Sequence, residues 1–280
     1  MEKTKITILC ENTAGIEMGI IGEHGFSALI EQGDRKILMD TGQGLGLENN
    51  SRFLGIDLGQ METIILSHGH YDHTGGLKYL IPSDRAREVY CHPDIFTPKY
   101  VIKPGIGEIF IGTGFTREQL ESDMKARFHF LKEFTQVSEN IFFSGEIPRQ
   151  TEFEKNDTRL LVKKGQDFIE DPLLDDASIL IETESGPVIL TGCAHSGIVN
   201  IMNHFAEKTG HKKFHAVIGG THLGFLGSEN QLEKTMDAFD RYELDLIAVS
   251  HCTGAKAAAI CYNRFKDRFA FANAGWSVNF

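Results

Sequence analysis

The chain predicts an α/β fold, and three observations carry that expectation. Short β-rich runs open the chain and pair through a tight turn. After Ala177, strand patterns alternate with helix patterns. Three of these later strands each run into a histidine at the C-terminal end, where the loops of a sheet naturally gather a site.

The first runs are Lys5 to Cys10, Phe26 to Gln32 and Arg35 to Asp40. Gly33-Asp34 between the last two suits a hairpin turn, so the start is antiparallel. Met61 to Leu66 is a further apolar strand that leads directly into SHGHYDHTGG, which puts a histidine cluster on a loop. Leu77 and Leu80 keep helical spacing until Pro82 closes the segment. From about 93 to 165 the pattern is less regular, with Pro93, Pro98, Pro104 and a glycine-rich stretch, then a helix announced by Thr116 and Gln119 in capping-box spacing. This stretch reads as an insertion or lid without a linker at either end. ASILIETESGPVILTGCAHSG is a hairpin through Ser185-Gly186, and the helix Gly197 to Lys208 follows, with Ser196 placed to cap it and Gly210 beyond its end. The pattern then repeats: His215 to Ile218 into GGTH, a helix Asn230 to Phe239, Asp245 to Val249 into SHCTG, and a final helix from about Ala255.

Composition narrows the function classes. With 41% hydrophobic and 24% charged residues the chain can bury a sizeable core. Its formal charge of -11, from 28 basic against 39 acidic residues, repels a phosphate backbone, and no basic run offsets it, so nucleic acid is excluded as the expected partner. Lys212 and Lys213 together suffice only for one phosphate of a small molecule. Five cysteines, odd in number and without C-x-x-C spacing, are neither a disulfide framework nor a zinc ribbon, which suits a reducing cytoplasm. No apolar run is long enough for a membrane span, and the N-terminus is too polar for a signal peptide.

The chemistry concentrates in Ser67-His68-Gly69-His70-Tyr71-Asp72-His73, three imidazoles and a carboxylate within six positions. These are the ligands that borderline and hard divalent metals prefer. Gly69, Gly75 and Gly76 are expected to let such a loop bend sharply around an ion. His195 and His251 are expected to complete the ligand set, from GCAHSG and SHCTG.

HGHYDH resembles the H-x-H-x-D-H signature of the metallo-β-lactamase superfamily. Asp40 in LMDTG resembles the first motif of that superfamily, His195 its isolated third-motif histidine, and His251 its last. The resemblance implies a single domain over 1–280, a four-layer αβ/βα sandwich carrying a lid-like insertion at about 93–165. It implies a two-metal site, with His68, His70 and His195 on one ion and Asp72, His73 and His251 on the other, and Asp40 as a supporting residue near the site. The cofactors so implied are one or two divalent ions per chain, zinc first, with manganese, iron or nickel as alternatives. One departure stands out: where a bridging Asp is common, the chain reads Val217-Ile218-Gly219-Gly220-Thr221-His222. His222 is therefore a candidate ligand or substrate contact.

ENTAG, EHGFSALIE, LMDTGQG, SHGHYDHTGG, GCAHSGIVNI, GGTHL and SHCTG together resemble a narrower branch, 7,8-dihydropterin-6-methyl-4-(β-D-ribofuranosyl)aminobenzene-5'-phosphate synthase. In that branch Glu23-His24-Gly25 recurs ahead of a strand, which makes Glu23 and His24 candidates for substrate binding. Cys252 and Cys193 read first as small buried residues and secondarily as metal-bound thiolates.

The function expected is hydrolysis of a small anionic substrate by a metal-activated hydroxide, with Asp72 as the catalytic carboxylate. The alternative is a pterin-forming transferase, and a more distant one is a di-iron redox protein. The 93–165 segment is expected to cover the metal edge and supply rings from Tyr100, Phe110, Phe115, Phe128, Phe130 and Phe134, with Lys99, Lys103 and Arg117 as cations for phosphate.

Overall fold

A computed structural model describes residues 3–225 and 229–280. The first half of the chain runs β1 (Thr4–Cys10), β2 (Ser27–Gln32), β3 (Arg35–Met39), α1 (Leu45–Phe53), β4 (Thr63–Ile65), α2 (Tyr71–Thr74) and β5 (Arg87–Cys91). It continues with β6 (Lys99–Lys103), β7 (Gly107–Phe110), α3 (Arg117–Asp123), β8 (Ala126–Phe130), β9 (Thr135–Ser138) and β10 (Ile141–Phe143). The second half runs β11 (Leu160–Lys164), β12 (Asp167–Glu170), β13 (Ser178–Thr183), β14 (Gly186–Thr191), α4 (Ile198–Thr209) and β15 (Ala216–Gly220). It closes with α5 (Glu229–Arg241), β16 (Leu246–Ser250), α6 (Ala255–Phe265), β17 (Phe269–Phe271) and β18 (Ser277–Asn279).

These strands form two seven-stranded sheets, β18-β1-β2-β3-β4-β5-β8 and β17-β16-β15-β14-β13-β10-β9, and a small sheet β12-β11-β6-β7. Alternation along each strand divides the apolar side chains between two faces. In the second large sheet Ile179, Ile181, Val188, Leu190 and Ile218 meet Ile8, Ile30, Ile37 and Ile65 of the first in one central core. Leu180, Ile189, Val217 and Ile247 point the other way, onto α4, α5 and α6. Leu29, Leu38, Ile64 and Val89 likewise face α1, α3 and the Gly75–Leu80 turn. Helices, sheet, sheet and helices make four layers, and burial on both faces accounts for the nearly continuous apolar runs of β13 to β16.

Local signals resolve as follows. Gln32 pairs with Arg35, so Gly33-Asp34 is the two-residue turn expected. The later hairpin turns one residue earlier than expected, at Glu184-Ser185, because Thr183 pairs with Gly186. Thr116 and Gln119 close a complete capping box on α3. Ile198, Ile201, Met202 and Phe205 give α4 its buried stripe, and Gly210 ends it in the left-handed region. Ser196 does not cap α4. The cap comes from Glu154, whose Oε1 and Oε2 accept the N–H groups of Val199 (2.8 Å) and Asn200 (2.9 Å).

The expected lid over 93–165 requires correction. β8, β9 and β10 lie within it yet are members of the two large sheets, and Phe128 and Phe130 of β8, with Phe134 just ahead of β9, pack against the helix-side cores. Only the hairpins β6–β7 and β11–β12 stand apart, as the small sheet, and the second of them runs past 165. No helix among the described residues is long and apolar enough to cross a membrane.

Candidate metal centre

Four strand ends converge on one edge of the sandwich: β4 leads to His68 and His70, β14 to His195, β15 to His222, and β16 to His251. Asp72 and His73 lie in α2, the single turn that follows His70. Near these ends the backbone turns through left-handed residues that are not glycine: Asp40 (φ 57), Ala194 (φ 60), His222 (φ 54) and His251 (φ 50). Each such conformation costs roughly 1–3 kcal/mol. Strain of this kind persists where the surroundings hold it for a purpose.

His68, His70 and His195 form a nearly orthogonal triad. Their ring centroids are 4.5, 4.8 and 5.0 Å apart at interplanar angles of 83°, 77° and 84°. Burial drives all three pKa values down, His70 to about 3, so the rings stay neutral with lone pairs available. His70 Nε2 and both ring nitrogens of His195 are buried without a hydrogen-bond partner.

Tautomers follow from the outer contacts. Asp40, fully buried, accepts the Ser67 N–H at Oδ1 (2.8 Å), and the Ser67 hydroxyl (2.6 Å) and His73 Nδ1–H (2.7 Å) at Oδ2. Its hydroxyl proton thus spent, Ser67 Oγ accepts from His68 Nδ1 at 2.9 Å. In the neutral rings the Nε2 atoms of His68 and His73 therefore carry the lone pair, and that of His68 is met by His70 Nδ1 at 2.9 Å. On the opposite side Asn12 Oδ1 accepts both Gly25 N–H and His251 Nδ1–H, and Glu11 Oε1 accepts the His251 backbone N–H. His251 Nε2 consequently faces His73 Nε2 at 3.3 Å, lone pair to lone pair, with Asp72 Oδ2 at 3.4 Å. Only a proton or a metal ion between them relieves that approach. Burial lowers the pKa of His73, but Asp40 and Asp72 outweigh it and lift the value to about 9, so without an ion it is a proton that fills this gap.

The side chains that could hold an ion fall into overlapping sets: His68, His70 and His195; His68, His73 and Cys193; Cys193, His195 and His222; Cys193, His251 and Cys252; and His24, Asp72 and His251. Unpartnered buried nitrogens, neutral imidazoles and convergent lone pairs fit a divalent ion of the zinc type. All seven residues expected as ligands meet here. Asp72 is held ionised by His73 and His24 against the opposing effect of burial. His24 is half exposed, and its Nε2 stands 3.1 Å from Asp72 Oδ2. His222 makes no ring hydrogen bond, and its Nε2 lies 3.5 Å from Asp157 Oδ2.

Other expectations change. Glu23 turns away from the cavity, its Oε1 accepting the N–H groups of Gln43 and Gly44 (3.0 and 2.8 Å). Gly69 and Gly76 serve close approach rather than bending: a Cβ would stand 2.3 Å from Ile95 O and 2.0 Å from Thr41 O. Lys99 is buried between Asp171 Oδ2 (2.7 Å) and Asp175 Oδ1 (2.9 Å), and Asp175 Oδ2 in turn accepts Gly69 N–H. This cation ties the small sheet to the His68 loop and does not face a substrate. Arg117 pairs with Glu121 on its own helix. Tyr100 packs edge-on against Phe110 and Phe168, away from the histidines, and Phe115 joins the helix-side core.

A cavity of about 370 Å³ opens beside the histidines, walled by Val101, Ile102, Ile111, Leu160 and Phe225, with Lys103 and Arg159 among its lining. The small sheet thus covers the metal edge with aliphatic side chains, and the rings at the cavity besides the histidines are Tyr71 and Phe225. Sequence reasoning missed Asp175 and Arg159, which lie beside no histidine in the chain, and it singled out the ENTAG segment without the roles of Glu11 and Asn12.

A sequence profile described as the metallo-beta-lactamase superfamily matches residues 20–251. An uncharacterized protein of Methanocaldococcus jannaschii is 35% identical over 256 residues, covering 90% of this chain and 91% of the relative. The 7,8-dihydropterin-6-methyl-4-(beta-D-ribofuranosyl)-aminobenzene-5'-phosphate synthase of the same organism is 31% identical over 293 residues, covering 100% and 98%. Among solved structures, a metal-dependent hydrolase of the beta-lactamase superfamily superposes with a TM-score of 0.83 at 28% identity, covering 98% of each chain.

Proposed function

The chain belongs to the metallo-β-lactamase superfamily, and from that premise we propose that it is a metal-dependent hydrolase of a small anionic substrate, zinc being the metal its donors suit best. The observation that carries this is the orthogonal triad His68, His70 and His195, with buried unpartnered nitrogens, at the wall of a 370 Å³ cavity. Asp72 is the sole carboxylate among the candidate ligand sets of the described residues, which favours a nitrogen-preferring ion over a di-iron centre.

The chemistry a bound ion supplies is a water acidic enough to ionise near neutral pH and stabilisation of charge on a departing oxygen. The protein does the rest. Asp40 and Asn12 fix the ring tautomers so that Nε2 atoms of His68, His73 and His251 face inward. Asp72 Oδ2 accepts the proton of the attacking water and, once the half-exposed His24 ring has released its own Nε2 proton to solvent, passes it to that Nε2, 3.1 Å away. Lys103 offsets the substrate's negative charge, Arg159 being paired with Asp157, and the aliphatic walls of β6 and β11 keep bulk water out.

A second reading, transfer of a pterin to an aromatic amine with loss of diphosphate, draws support from the full-length similarity to the synthase. It uses the same centre, with the cavity excluding water from the reacting carbon.

The test is an assay of metal-stripped and zinc-reloaded protein against phosphodiesters, thioesters, lactones, and a pterin diphosphate with an aromatic amine. Zinc-dependent turnover of one of the first three, reduced about 10²–10⁴-fold in Asp72→Asn, supports hydrolysis. Turnover of the pterin pair alone selects the transferase, and activity indifferent to metal removal sinks both.

A further inference from the structure

No carboxylate stands at the end of β15, and a thiol occupies the space between the two groups of imidazoles. Cys193 Sγ lies 3.1 Å from His73 Nε2. It belongs to three of the candidate ligand sets, with His68 and His73, with His195 and His222, and with His251 and Cys252, and no other side chain among the described residues belongs to so many. It is thus the one donor placed to reach ions on both sides of the cluster.

The backbone of β15 packs closely against the loop that carries this thiol. At Gly220 a Cβ would lie 2.3 Å from Gly192 O, 2.7 Å from Cys252 Sγ and 3.2 Å from Cys193 Cα, so any larger residue at the end of β15 would displace the Cys193 loop. The neighbouring cysteine is otherwise employed: Cys252 Sγ accepts the His222 N–H and donates to the Cys193 carbonyl, both at 3.2 Å. Cys193 Sγ faces ring nitrogen, with the Cys252 thiol beside it. Independently of the thiol, both ring nitrogens of His195 in the same set are buried and unpartnered, which points to a ligand at that place.

We propose that Cys193 is a thiolate ligand shared between the two metal positions, in place of a bridging carboxylate; this rests on the metal-centre reading above. As the sulfur–metal bond forms, the S–H proton leaves to solvent. A sulfur donor biases the centre toward zinc, cobalt or iron and against manganese and magnesium, which prefer oxygen.

Cobalt(II) titration of the metal-stripped protein tests this, with X-ray absorption on the zinc form. Wild type should show ligand-field bands together with an intense sulfur-to-cobalt charge-transfer band, and a zinc–sulfur shell at about 2.3 Å. Cys193→Ser should lose the charge-transfer band and the sulfur shell, while Cys252→Ala keeps both. Ligand-field bands without charge transfer in wild type overturn the proposal and leave the metal centre standing. Absence of any cobalt spectrum overturns both. Charge transfer surviving in Cys193→Ser, or vanishing in Cys252→Ala, overturns the assignment to Cys193. Should Cys193→Ser fail to fold, retention of the band in Cys252→Ala assigns the sulfur to Cys193, because Cys10, Cys91 and Cys261 belong to none of the ligand sets.

Discussion

Asp40 binds no substrate and need bind no metal, yet two of the imidazoles depend on it. It accepts His73 Nδ1–H directly, and it takes the Ser67 proton that would otherwise compete for His68 Nδ1. Asp40→Asn retains the shape but offers an NH2 group to one of these donors, so at least one ring loses its fixed tautomer. Metal affinity should fall about 10–100-fold, as when a group behind a metal ligand is altered. Competition for zinc against a chromophoric chelator measures this, and an affinity equal to wild type would show that Ser67 and His73 do not need Asp40. The sequence revealed Asp40 as part of a motif but not this role, which runs through a hydroxyl 27 positions away. ENTAG was legible as a motif, but the roles of Glu11 and Asn12 within it were not, for the same reason: what they hold, His251, lies some 240 residues along the chain.

Two elements that position the site are stabilised from a distance. Helix α4, which follows His195, has its first free N–H groups satisfied by Glu154, 45 residues upstream, where Ser196 had the expected spacing for a cap. Ser196 instead donates its N–H to Asp176 Oδ2, which braces the His195 loop. Glu154→Ala should therefore cost about 1–2 kcal/mol in urea unfolding, whereas Ser196→Ala should change little, and the reverse order would restore the local cap. The small sheet is anchored by Lys99. Lys99→Met would leave Asp171 and Asp175 as buried carboxylates without a cation, a loss of about 3–5 kcal/mol. Denaturant unfolding of the variant measures it, and a loss under 1 kcal/mol would mean that solvent reaches the pair. This sheet escaped the sequence reading because its two hairpins, near 100 and 165, are separated in the chain by strands that belong to the sandwich, and much of β6, β7, β11 and β12 is exposed and carries no alternating apolar pattern.

At the scale of the whole molecule, the strands legible in sequence are those that both large sheets bury. Their apolar runs ended at histidines, which made the edge where the runs converge readable before any coordinates. Aromatic content was a poorer guide: Phe128, Phe130 and Phe134 fill gaps between helices and sheets, and the cavity is walled by Val101, Ile102, Ile111 and Leu160 instead. Everything proposed for the site assumes that the four strand ends meet in order to hold metal. Anomalous diffraction at the zinc edge from zinc-loaded crystals tests that assumption most directly. The predicted result is an ion with ring nitrogens of His68, His70 and His195 at about 2.0–2.1 Å, and a second peak among His73, Asp72 and His251. Crystals grown with zinc that show no anomalous peak at the triad, or an ion from which His195 stands several ångströms away, would contradict it.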